Sequence, residues 1–137
     1  MTDGVGTPLG ALVTAGQDHE SVSFEALMDT VRVRGRGGRR RPDAVAGDKG
    51  YSYPRIRRWL RRRAIEAVIP TRSDQPGERL NRAKYRGRNV VERCIGWLKG
   101  CRRLATRYEK LATHYLAVVT LAMIQRCLRL LDPSNRT

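Results

Sequence analysis

The sequence predicts an α/β fold, and three observations predict it. Short apolar runs of strand length alternate with amphipathic stretches at helical spacing, in the order strand, helix, strand, helix, strand. Glycine, proline and aspartate stand at the joints between them. Two longer stretches with one apolar face each then follow with no strand between them, which adds two long C-terminal helices. Such an alternation implies a sheet with at least one parallel pair and a crossover helix.

Each element has its own local cause. Asp3, Gly4, Gly6 and Pro8 make a turn, and Leu9 to Ala15 then reads as a strand closed by Gly16. From Ser23 to about Val33, Phe24, Leu27, Met28 and Val31 recur at helical spacing behind a serine suited to capping. Arg32 to Asp43 is glycine-rich and cationic, and 34–43 is expected to be a flexible loop, either solvated or touching phosphates. Ala44 to Gly47 has the length of a buried strand and ends at Asp48. Pro54 suits a first helical turn, and Ile56, Trp59 and Leu60 mark the buried side of that helix. Ala67 to Ile69 is a further short strand stopped by Pro70, after which 70–84 is a second flexible loop. The two closing helices are expected over about Arg86 to Arg102 and Thr113 to Leu131. On the second, Leu116, Val119, Ala122, Met123, Cys127 and Leu131 form the apolar face.

Composition narrows the partners. At 137 residues the chain has the length of one domain. Its 28 Lys and Arg against 13 Asp and Glu give a formal charge of +15, which repels itself unless a polyanion neutralises it. Nucleic acid is the favoured partner, although arginine-rich codon usage is another source of the charge. Cys94, Cys101 and Cys127 are odd in number and show no C-x-x-C pair, so neither a disulfide framework nor a zinc site is suggested. His19 and His114 carry no metal or catalytic signature. There is no export signal, and the longest apolar run, Leu116 to Ile124, is shorter than the roughly 18 residues of a membrane span. A soluble, cytoplasmic protein with no membrane partner is expected.

One helix carries an unusual stripe. At about 100° per residue, Tyr85, Arg88, Glu92 and Lys99 fall within roughly 60° of one another, opposite Val90, Val91, Cys94, Trp97, Leu98 and Cys101. By spacing alone the favoured reading is an exposed helix face with an Arg88 to Glu92 ion pair worth a few tenths of a kcal/mol.

In order and spacing, Tyr85, Arg88, Glu92 and Lys99 resemble the Y-(2)-R-(3)-E-(6)-K signature of bacterial insertion-sequence transposases with a DDE active site, of the insertion-sequence-five-like kind. DKGY, Asp48 to Tyr51, is similar to the second-aspartate motif of that family, and WLRRRAIEAVIP and RLATRYEKLA resemble its segments too. The resemblance runs from about Gly10 to Leu131. It implies an RNase H-like fold and a metal-dependent phosphoryl transferase that cuts DNA at transposon ends and joins them to a target. Two Mg²⁺ ions about 4 Å apart would be held by carboxylates. Asp48 corresponds to the second acid and Glu92 to the third, both metal ligands. Lys49, Tyr85, Arg88, Arg93 and Lys99 correspond to DNA-contacting positions, on transposon-end and target duplex.

The resemblance also implies what is missing. The family's first aspartate lies on the first strand, upstream of everything here, and Asp3 is a weak substitute. Residues 1–137 thus read as a partial catalytic domain without strands 1 and 2, which leaves the two-metal site incomplete and the chain inactive alone. The Leu9 strand is left without a neighbour and the Asp48 strand with an open edge. A partner is then expected: an N-terminal part from an upstream reading frame, or a second copy in a homodimer. The alternative is a catalytically inactive DNA-binding remnant; an RNA-binding basic protein is a third reading, disfavoured by few aromatics.

Overall fold

The parallel pair and its crossover helix form where the alternation places them. The computed structural model describes residues 1–31, 41–106 and 109–132. In chain order it contains α1 (Phe24–Thr30), β1 (Ala44–Ala46), α2 (Pro54–Arg62), β2 (Glu66–Val68), α3 (Arg82–Arg86), α4 (Asn89–Lys99), α5 (Arg102–Ala105) and α6 (Ala112–Leu131). Most of the loop expected at 34–43, and the last two residues expected for the first helix, lie outside the described residues. The chain divides into two compact units, Gly16–Arg88 and Met1–Ala15 with Asn89–Thr137.

The Gly16–Arg88 unit is a small α/β layer. β1 runs parallel to β2 with Ala44, Val45 and Ala46 opposite Glu66, Ala67 and Val68. Two further bonds prolong the ladder: the Gly47 N–H donates to the Val68 carbonyl at 3.2 Å and the Glu66 N–H to the Asp43 carbonyl at 2.9 Å. The α2 helix packs on β2 and against α1. Its Ile56 and Leu60, one turn apart, are both 0% exposed and meet a core with Phe24, Met28, Ile65, Val68 and Ile69. Burying each of these two side chains contributes about 1.5–3 kcal/mol. Phe24 closes the top, edge-on to Trp59 and tilted against Tyr51 with centroids 5.8 Å away in both cases.

How α2 hands over to β2 is visible in its last turn. The Ile65 N–H donates to the Leu60 carbonyl and the Ala64 N–H to the Arg61 carbonyl, both at 3.0 Å. This is the Schellman arrangement, with buried Leu60 and Ile65 as its hydrophobic contact. Its left-handed position, usually glycine, is held by Ala64 at φ 49°. The turn lets the strand begin within a few residues of the helix end, so Glu66 starts β2 one residue earlier than the apolar run suggests.

In the other unit, the strand expected over Leu9 to Ala15 does not form. Among the described residues the only bridge there joins Thr2 to Pro8, and the chain closes on itself: Leu9 N–H donates to the Met1 carbonyl at 3.0 Å and the Met1 ammonium to the Gly10 carbonyl at 2.8 Å. A strand is defined by a ladder, and among the described residues nothing pairs with 9–15. Asp3 serves this turn, its Oδ1 accepting the N–H groups of Val5 and Thr7 at 3.0 and 2.8 Å.

The helix expected from Arg86 to Arg102 is cut at two of its three glycines, Gly87 and Gly100, while Gly96 stays within α4. At the first, the Gly87 and Arg88 N–H groups bond back three residues, to Lys84 and Tyr85, which tightens the ladder before α4 restarts at Asn89. At the second, the Gly100 N–H is shared between the Gly96 and Trp97 carbonyls and Cys101 turns extended. α4 packs on α5 and α6, with Cys94 and Leu104 buried and burial raising the Cys94 thiol pKa. α6 buries only Ala122, while Leu121, Ile124, Leu128 and Leu131 are exposed. By length and composition alone this helix qualifies as a membrane span, although its longest apolar run is short. Arg126 and Arg129 leave it to stack over Trp97, at 5.5 and 5.7 Å from the ring centre.

Candidate functional site

Asp48 stands just past the carboxyl end of β1, where parallel sheets place their chemistry. It caps a 3₁₀ turn, Lys49–Tyr51, with its Oδ1 accepting the Gly50 N–H at 2.8 Å. That close approach explains the glycine of DKGY, because a Cβ at Gly50 would lie 2.9 Å from the same oxygen. The carboxylate is held by its own backbone and is otherwise exposed. Three residues on, the half-buried Tyr51 hydroxyl donates to Glu20 Oε2 at 3.3 Å. Burial first, then the negative charges of Glu20 and Asp48, push its pKa up to about 12.

The loops that follow β1 and β2 enclose an open cavity of about 420 Å³, lined by His19, Lys49, Gly50, Arg72, Ser73 and Asp74. A second cavity of about 400 Å³ lies at the amino end of β2, among Glu66 and Arg79 to Arg82. There Lys84 is paired with Glu66, and their hydrogen bond holds the Glu66 carboxyl below its usual pKa. The two ends of the strand pair therefore differ: one carries a neutralised ion pair, the other exposed cations beside Asp48.

The remaining sequence-derived residues lie on the helices. Tyr85 is on α3, and the Arg88 guanidinium sits 5.5 Å from the centre of its ring. Arg88 itself occupies the junction after Gly87, so the single helical stripe that groups it with Glu92 is interrupted there. Glu92 and Lys99, seven residues apart on α4, still share a face, with Arg93 adjacent; all three are exposed. The expected site residues thus fall into three local groups: Asp48 with Lys49, Tyr85 with Arg88, and Glu92 with Arg93 and Lys99.

Exposed carboxylates are the donors that a hard divalent cation prefers. Among the described residues, however, no three His, Cys, Asp or Glu side chains gather into a set able to hold a metal ion.

The chain belongs to the transposase DDE domain family, whose model matches residues 1–126. Among individual proteins, it is 38% identical over 130 residues to a Burkholderia cepacia protein named as transposase for insertion sequence element IS402. That alignment takes in 93% of this chain and 60% of the relative, so the chain spans about three fifths of the length of the curated protein it matches. No solved structure matches.

Three residues around the cavity escape a reading of the sequence. Arg57 is one of many arginines in RIRRWLRRR and nothing in the pattern marks it as buried. Arg72 and His19 sit in polar stretches without a motif. The one available signal is positional: Arg72 follows the end of a predicted strand closely, as Asp48 does.

Proposed function

We propose that this chain is the C-terminal catalytic part of an insertion-sequence transposase with an RNase H-like core, acting in the complete protein on transposon ends and target DNA. Asp48 and Glu92 are the second and third acids of its active site, and cytoplasmic DNA is its substrate. The observation that carries the reading is the placement of Asp48, on a backbone-held turn beyond the carboxyl end of β1, within a chain that matches the transposase DDE domain family over residues 1–126.

The two carboxylates would hold Mg²⁺, which supplies activation of the attacking oxygen and stabilisation of the leaving one. The chain's own residues do the rest. The Gly50 N–H fixes the Asp48 carboxylate so that little reorganisation is needed when charge develops. Lys49, Arg93 and Lys99 draw the DNA backbone toward the acids, and Tyr85 with its stacked Arg88 orients the strand beside the scissile bond. In this reading the first acid is supplied by the remainder of the complete transposase.

The test uses the complete transposase that contains this chain. With Mg²⁺ it should cut DNA carrying the transposon end; Glu92→Ala and Asp48→Asn should each abolish cutting while leaving DNA binding largely intact. Cutting that survives either substitution refutes the assignment. DNA binding with no cutting by the unaltered protein favours a DNA-binding remnant instead.

A further inference from the structure

We infer that the cavity beyond the carboxyl ends of β1 and β2 takes a backbone phosphate of DNA, with Arg72 and Lys49 as its cations and Arg57 as the residue that positions Arg72. This rests on the functional reading above, which already gives Lys49 to DNA, and adds to it the roles of Arg72 and Arg57, which neither the signature residues nor the family match assigns.

Placement and charge point the same way. The cavity is built from the two loops that leave the parallel strands, one bearing Lys49 and Gly50 directly after Asp48, the other bearing Arg72 to Asp74 after β2. A phosphate seated there lies next to the acid proposed to work on DNA. The lining holds Lys49 and Arg72 against one carboxylate residue, Asp74, so its balance of charge favours an anion. Arg72 is held in place from its own side: its guanidinium is 5.7 Å from the centre of the Tyr53 ring, which in turn meets His19 edge-on at 5.5 Å.

The unusual feature is what fastens the rims. Arg57 is buried, at 7% exposure, in a protein whose other arginines on α2 point outward. Its Nη1 donates to Glu78 Oε2 at 2.8 Å, and its Nη2 to the Ile69 carbonyl at 2.8 Å and to Ser52 Oγ at 3.4 Å. Ser52, fully buried directly after the Lys49–Tyr51 turn, donates to Gln75 Oε1 at 2.8 Å. The Gln75 N–H reaches the Arg72 carbonyl at 3.1 Å, and the Glu78 N–H reaches Thr71 Oγ1 at 3.2 Å. One guanidinium therefore ties together the end of β2, the 71–78 loop and the segment after Asp48. A buried arginine demands such satisfaction, and its planar fork suits several partners at once. The result is a preset distance between the Lys49 rim and the Arg72 rim.

The experiment measures binding of the complete transposase to transposon-end duplex across a range of salt concentrations. Arg72→Ala should weaken binding uniformly across DNA sequences and lower the slope of log affinity against log salt by about 1, and Lys49→Ala with Arg72→Ala by about 2. Arg57→Met should reproduce the Arg72→Ala loss, and the double variant Arg57→Met with Arg72→Ala should be no weaker than either alone. Should Arg57→Met fail to fold, Glu78→Gln, which changes an exposed partner of the same guanidinium, takes its place in the cycle. An unchanged salt slope in Arg72→Ala, with binding and cutting otherwise normal, overturns the phosphate site and leaves the functional reading standing. Losses that simply multiply in the double variant overturn the positioning role of Arg57. Absence of DNA binding by the unaltered protein overturns both.

Discussion

The two units of this chain hold themselves together by different means. In Gly16–Arg88, Ile56, Leu60 and Val68 are at most 1% exposed, and the strand pair, crossover helix and buried Arg57 share one interior. In the other unit α6 runs for 20 residues and buries one of them, Ala122, while Leu121, Leu128 and Leu131 are each more than 60% exposed. The contrast shows where the stability of the chain resides: a compact crossover supplies its own core, and a long helix with exposed leucines contributes little burial per residue.

The most severe way to break this comparison is to empty the first core. Leu60→Ala should lower unfolding free energy by about 2–5 kcal/mol, while Leu128→Ala should change it by no more than about 0.5 kcal/mol. Urea unfolding of both variants decides; equal costs would erase the contrast. Next in size is Arg57→Met, expected to cost about 1–3 kcal/mol because the Ile69 carbonyl and Ser52 lose a buried partner. Trypsin should then cut faster at Arg72 and Arg79, and an unchanged digestion pattern would show that the loop is held by other means.

A gain is expected from Ala64→Gly. Ala64 sits at φ 49°, a conformation that costs a side-chain-bearing residue energy and glycine almost nothing. The substitution should stabilise the protein by about 0.5–1 kcal/mol in thermal unfolding, and destabilisation would mean that the turn is not the Schellman arrangement described. The smallest effect concerns pH. The folded Tyr51 pKa of about 12 exceeds the ordinary value of 10, so the neutral phenol is favoured by folding. Its stabilisation is complete below pH 10 and is lost as pH rises through about 12. Alkaline unfolding of Tyr51→Phe against the unaltered chain should show a shallower loss of stability over that window.

Where the sequence was legible, the determining forces are local. The strands at 44–46 and 66–68 and the helix from Pro54 appear within a residue or two of their expected ends. Each is set by a short apolar run and its flanking proline, glycine or aspartate. Leu9 to Ala15 is the same kind of run and fails as a strand, because a ladder needs a partner that a run cannot reveal. The split of the expected 86–102 helix turns on Gly87 and Gly100, whose weak helix propensity is overridden in many proteins and here is not. Asp48 was legible as the residue that ends a strand, and the structure adds the turn that follows it and why the glycine of DKGY is required. The cavity and Arg57 were not legible, since burial of one arginine among nine residues of RIRRWLRRR depends on which side of the helix the loop 71–78 covers.

The brevity of the crossover has a kinetic consequence. Everything that closes the parallel pair, from the Asp43 carbonyl to the Val68 carbonyl, lies within one uninterrupted stretch of described chain. Parallel strands are usually slow to pair because distant segments must meet; here the entropy of loop closure is modest. This region can therefore gain order during synthesis while the C-terminal helices are still inside the ribosome. Pulse-labelled hydrogen exchange would report it as early protection of the Gly47 and Ile65 amides, ahead of those along Ala112–Leu131.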